Sequence, residues 1–136
     1  EPFAQGFLHY YCRSPLQNDI EINALQRAST VIMQKSLREG FGLTVSEAMW
    51  KAKPVVASNV GGIPLQIAHK YSGLLCHSIE GAGFSLKQLL HSPDYARKLG
   101  ENGKEHVKNN FLITRHLKEY MLLFLSLYHP EDIVYL

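Results

Sequence analysis

Arg38-Glu39-Gly40-Phe41-Gly42-Leu43-Thr44-Val45-Ser46-Glu47-Ala48-Met49 stands between two segments of different periodicity. Before it, residues 30–34 form a short apolar run that reads as a buried strand. Behind it, Val45, Ala48, Met49 and Ala52 recur at helical spacing over residues 43–53, and Pro54 cannot extend that helix without losing a hydrogen bond. A strand, a glycine turn and a helix in this order mark the carboxyl end of a strand in a doubly wound fold, where ligands bind. Gly40 and Gly42 let backbone N–H groups come close to a ligand, and the free amides of the first helical turn attract phosphate through their partial positive charge. Glu39 precedes the turn and Glu47 lies about one turn into the helix, so both carboxylates border the phosphate space. A carboxylate there is unfavourable unless it accepts hydrogen bonds, and sugar hydroxyls would donate them. From spacing alone a plainer reading stays open: the glycines form a turn and Glu47 is a favourable charge near a helix start.

Outward from this unit, strand-like runs alternate with helical stretches, the pattern of a parallel sheet covered by helices. Residues 7–12 read as a first strand, 14–19 as a Pro/Asn/Asp turn, and 20–28 as a short amphipathic helix with Ile22, Leu25 and Ala28 on one side. Residues 54–58 and 73–77 supply two more strands. Gly61-Gly62 turns the chain into a short helix over 64–69, where Pro64 suits a first helical position. Helices follow over 84–90 and over 93–109, the latter opened by a Ser92 cap and Pro93. The last helix, 113–128, carries Ile113, Leu117, Tyr120, Met121, Phe124, Leu125 and Tyr128 as one stripe, assigned to core packing with a partner surface as the alternative. With no repeat, low-complexity segment or linker, residues 1–136 are expected to form a single α/β domain, a Rossmann-like parallel sheet with flanking helices.

Composition sets the outer limits. A chain of 136 residues, 46% hydrophobic and 19% charged, has the proportions of a packed globular protein. Its net charge of +2, without a run of one sign, offers little to nucleic acid or to an anionic membrane surface. The longest unbroken apolar run, residues 120–125, falls far short of the roughly 20 residues of a membrane span, and no signal pattern opens the chain, so a cytoplasmic location is expected. Cys12 and Cys76 stand alone and read as small core residues. None of the seven histidines pairs at helical spacing with another, so no metal site and no cofactor are expected. His77, Ser78 and Glu80 lack a nucleophile elbow and read as surface loop. Lys51, Lys53 and Lys70 read as solvated, and Trp50 as core rather than a sugar platform.

The string Glu39-Gly40-Phe41-Gly42-Leu43, continued by Glu47-Ala48-Met49, resembles the E-x7-E motif of retaining GT-B glycosyltransferases, in particular glycosyltransferase family 4. Lys53-Pro54-Val55-Val56-Ala57-Ser58 and Gly61-Gly62-Ile63-Pro64 look like that family's next strand and glycine turn. The likeness spans roughly residues 18–127. Residues 21–29, 38–50 and 111–114 look most like the family's trehalose synthases. The resemblance implies a donor-binding domain that takes a nucleotide-diphosphate sugar, NDP-glucose in the pattern of those relatives, for retaining hexosyl transfer. It implies that Glu39 contacts the transferred sugar and is the catalytic residue, and that Glu47 meets the ribose. Gly42, Leu43 and Thr44 would present backbone, and Thr44 its hydroxyl, to the diphosphate, with Gly40 and Phe41 also in the substrate-binding set, and protein groups rather than an obligatory metal would stabilise the leaving diphosphate.

Two departures qualify the likeness. Where the family commonly has an acidic residue after the glycine pair, the chain runs Ile63-Pro64-Leu65-Gln66. The family's first nucleotide-binding strands, their basic pair, and the acceptor domain have no counterpart. The chain is thus expected to be the truncated carboxyl-terminal domain of a GT-B enzyme, inactive alone, and to form a homodimer or to associate with a missing amino-terminal half. Two rivals remain: a non-catalytic binding or assembly module, and an unrelated doubly wound protein that binds a phosphate compound.

Overall fold

The computed structural model describes residues 15–129; the strand expected over 7–12, and Cys12 with it, lies outside them. The elements are α1 (Pro15–Ala28), β1 (Ile32–Gln34), α2 (Leu43–Trp50), β2 (Val55–Ser58), α3 (Ile63–Gln66), β3 (Leu74–Cys76), α4 (Ile79–His91), α5 (Pro93–Asn110) and α6 (Ile113–Tyr128). The strands form one parallel sheet in the order β1-β2-β3, with Ile32 opposite Val55 and Val56 opposite Leu74. Parallel neighbours need a crossover, which α2 and α3 provide.

The central strand shows why the core has two halves. All four residues of β2 are buried, and successive side chains leave a strand on opposite faces. Val55 and Ala57 pack with Val45, Ala48 and Met49 of α2, and with Ile63, Ile67 and Val107. Val56 packs on the other side with Leu74, Cys76, Ala82, Leu89, Ala96 and Leu99. α5 contributes Val107 to the first group and Ala96 and Leu99 to the second, so it ties both layers together. A continuous apolar strand buried on both faces is what a helix-covered parallel sheet requires.

Several boundaries differ from the sequence expectation. α1 begins at Pro15, absorbing the segment read as a turn, because proline's fixed φ suits a first helical position. Its expected apolar face is not core: Leu25 is 66% exposed, and Gln26 is the buried residue of that helix. α2 stops at Trp50, with Ala52 at φ 57, before Pro54 has any effect. α3 ends at Gln66, because Ile67 is extended. α4 starts five residues earlier than expected: the Ser78 hydroxyl accepts the Gly81 N–H at 3.0 Å and caps it. Ser78 and Glu80 therefore belong to a helix start rather than a loop. The Glu80 carboxyl is held below its usual range by its own backbone N–H and by the Ser78 hydroxyl.

Two expectations about the core are overturned. Trp50 is 43% exposed, with the Lys104 ammonium 5.7 Å from its ring centre. No residue of α6 is buried, and its apolar stripe is open along its length. Cys76 is buried as expected, its thiol 3.2 Å from the Ala57 carbonyl oxygen.

Candidate functional site

Two glycine turns meet at the carboxyl ends of adjacent strands. The first, residues 39–42, follows β1 and leads into α2; the second, Gly61-Gly62, follows β2 and leads into α3. Gly42 is the N-cap of α2 with φ 87, a left-handed conformation, and a Cβ there would lie 3.1 Å from Ile63 Cγ1. Gly61, at φ 56, has no room for a side chain: a Cβ would lie 1.7 Å from the Glu39 carbonyl oxygen. The backbones touch directly, and the Gly62 N–H donates to the Gly40 carbonyl at 2.7 Å. The Gln66 Nε2 amide donates to the next carbonyl, that of Phe41. On the outer side the Phe41 ring packs on Phe111, with ring centres 5.9 Å apart.

With these carbonyls turned inward, the N–H groups of Phe41, Gly42, Leu43 and Thr44 have no hydrogen-bond partner among the described residues. The last two are orphan amides of a helix start, which attract anions. Such a run of free donors is chemically a phosphate cradle.

The two glutamates are held by different neighbours. Glu39 sits against Gly42, its Cγ 3.4 Å from where a Gly42 Cβ would be. Its Oε2 accepts from Gln34 Nε2 at 3.0 Å and from Ser36 Oγ at 3.3 Å, and its Oε1 accepts from the Gly40 N–H at 3.1 Å. A carboxylate has about four acceptor positions, so these three bonds fix its orientation and leave room for one more donor. Glu47 is exposed on α2, and its Oε2 accepts from Gln26 Nε2 of α1 at 3.0 Å. The Gln26 Oε1 accepts in turn from Lys51 Nζ at 2.6 Å, so one buried carboxamide joins a carboxylate to an ammonium. Lys51 is therefore engaged, not merely solvated.

The structure gathers Glu39, Gly40, Phe41 and Gly42 around one turn, continues them into Leu43 and Thr44 at the start of α2, and sets Glu47 one helical turn on. Sequence reading missed Gln26, Gln34, Ser36, Gln66 and Phe111, which hold these residues in place. The one available signal was polarity out of pattern, as with Gln26 on a helix read as amphipathic. Among the described residues, no group of three His, Cys, Asp or Glu side chains could hold a metal ion, and no helix is long and apolar enough to cross a membrane.

Comparison with known proteins places the chain among glycosyltransferases. A trehalose synthase of Rubrobacter xylanophilus is 53% identical over 108 residues, 79% of this chain and 26% of that protein. The sucrose-phosphate synthase of Thermosynechococcus elongatus, a solved structure, superposes with a TM-score of 0.67 at 31% identity, over 77% of this chain and 27% of its own. The Anabaena protein HepE, solved in complex with UDP-glucose, shares the fold with a TM-score of 0.67 at 22% identity, over 77% of this chain and 30% of its own. The chain spans about a quarter of the length of the curated relatives it matches. Its parallel sheet and flanking helices are those of a GT-B, Rossmann-like domain. The profile of the family described as glycosyl transferases group 1 matches residues 14–106, and the chain belongs to that family.

Proposed function

We propose that the chain binds a nucleotide-diphosphate sugar, NDP-glucose, as the donor-binding part of a retaining hexosyltransferase, with trehalose synthesis as the reaction served. The observation that carries this is the run of unpaired N–H groups from Phe41 to Thr44, flanked by two oriented carboxylates. In this reading the N–H groups take the diphosphate, and the Thr44 hydroxyl adds a further donor. Glu39 is the catalytic residue, using its remaining acceptor position for a hydroxyl of the transferred sugar. Glu47 keeps Oε1 for the ribose hydroxyls. The amides and the positive end of α2 stabilise the charge that develops on the leaving diphosphate, the step at which a fixed donor lowers a barrier most.

The test separates the two carboxylates, with UDP and UDP-glucose as probes in ligand-detected NMR titrations. Glu47→Gln is expected to weaken both, because both carry the ribose. Glu39→Gln is expected to weaken UDP-glucose and leave UDP nearly unchanged, at a cost of about 1.5–3 kcal/mol for the lost charge-assisted hydrogen bond. Equal losses for both ligands in both variants would remove these roles.

A second reading, a catalytically silent binding or assembly module, is favoured by the open apolar face of α6. Transfer needs donor and acceptor held in one geometry, worth up to about 7–11 kcal/mol of barrier, and this chain spans about a quarter of the length of its curated relatives. The isolated chain is therefore proposed to bind donor without turning it over. Turnover of a nucleotide glucose with glucose as acceptor, by purified chain alone, would decide against that.

A further inference from the structure

We infer that Gln66 is the positioning residue of the diphosphate-binding turn, acting through the Phe41 carbonyl to aim the Gly42 N–H at the ligand. The inference rests on the donor-binding reading above.

Gln66 ends α3 and is fully buried beside the turn, its Nε2 3.7 Å from where a Gly42 Cβ would be. A carbonyl can only accept, so the carboxamide must present its nitrogen to Phe41. Every peptide bond described is trans, and in a planar trans peptide the C=O and the following N–H point in opposite directions. Pulling the Phe41 carbonyl toward α3 therefore turns the Gly42 N–H away from it. The Gly62 N–H does the same one peptide earlier, fixing the Gly40 carbonyl and turning out the Phe41 N–H. Neither outward N–H has a partner among the described residues, and both run on into the free amides of Leu43 and Thr44. The second turn is thus a template for the first.

Folding alone does not explain a glutamine here. Its Oε1 is buried with no hydrogen-bond partner, a loss that an apolar side chain of the same length would avoid. A glutamate would bring an acceptor against an acceptor. What the carboxamide supplies, and neither replacement can, is a donor to Phe41.

The test uses Gln66→Met, which keeps length and volume and removes the donor. UDP binding, followed by ligand-detected NMR on the full chain, is expected to weaken by about ten-fold, the value of one hydrogen bond to a charged group. Uridine, which lacks the phosphates, is expected to bind unchanged, and the thermal midpoint to stay level or rise. A second measurement needs no ligand. In the 15N,13C-labelled wild type, the Gln66 carboxamide protons are expected to exchange slowly and to show a correlation across the hydrogen bond to the Phe41 carbonyl carbon. Equal weakening of UDP and uridine, or a lower midpoint with UDP affinity unchanged, overturns the positioning role in favour of a structural one. Rapidly exchanging Gln66 protons overturn it outright. A wild type that binds no UDP overturns the donor-binding reading, and the diphosphate half of this inference with it. The Gln66-to-Phe41 correlation then still decides whether the turn is held as described.

Discussion

Gln26 is a carboxamide only 5% exposed, bonded to a carboxylate at one end and an ammonium at the other. Hydrogen bonds to charged groups are worth more than neutral ones, and this pair is the polar tether between α1 and the site helix. Gln26→Leu is expected to destabilise the chain by about 1–3 kcal/mol. Glu47 on α2 and Lys51 at its C-cap, four residues apart, can then pair directly, but such a helical pair returns only about 0.3–0.5 kcal/mol. The direct pair would also draw Glu47 toward Lys51, so UDP binding is expected to fall with stability. Urea denaturation and UDP titration of the same variant read both effects; an unchanged urea midpoint would show that the bridge contributes nothing. This residue also shows what a sequence hides. That Gly40, Gly42, Glu39 and Glu47 share one turn and the helix after it was legible, because glycines and a helical period are local signals. Gln26, Gln34 and Gln66 were not, because an amide's role depends on which groups tertiary packing brings within about 3 Å of it.

Among the elements, α5 sets two glycines directly against the backbone of neighbouring segments. A Cβ on Gly100 would lie 2.1 Å from the Ala52 carbonyl oxygen, and one on Gly103 would lie 2.9 Å from that of Ser72. Glycine inside a helix costs about 1 kcal/mol against alanine, so propensity alone favours replacement. Contact reverses the sign. Gly100→Ala forces α5 off the segment after α2 and loosens Leu99, Ala96 and Val107 together, for an expected net loss of about 1–3 kcal/mol. Gly83 in α4 is the control, since a Cβ there meets nothing within 4 Å. Gly83→Ala is expected to be neutral or stabilising by up to about 1 kcal/mol. Thermal midpoints of the two variants moving in the same direction would contradict this account of α5. The same glycines explain which elements were readable. β1, β2, β3, α5 and α6 followed from apolar runs and from a proline start, signals that survive without tertiary context. The amino-terminal turn of α4 was missed because His77, Ser78 and Glu80 read as surface loop, whereas the Ser78 cap starts the helix there. At α1 the periodicity was helical, but the apolar face had no layer to enter.

At the scale of the molecule, the layered sheet was legible from alternation alone, whereas the fate of α6 was not, because an apolar stripe looks the same whether or not something covers it. Its seven stripe residues, Ile113 through Tyr128, are 47–81% exposed. Contiguous apolar patches beyond a few hundred Å² are uncommon on monomers and mark surfaces of association. A second copy of the chain offers the same stripe, and two such faces placed back to back are self-complementary, as a two-fold interface requires. Self-association through α6 is therefore expected to rise with concentration. Because no α6 side chain is buried, Leu117→Lys with Phe124→Lys adds like charges across the contact without emptying the core. That double variant is expected to return the mass to one chain with the thermal midpoint of the dilute wild type unchanged. Light scattering from micromolar to near-millimolar protein measures both. A wild-type mass of one chain throughout would rule out the self-association. A double variant as associated as the wild type would move the contact from α6 to the sheet edge, where β1 and β3 are the outer strands among the described residues.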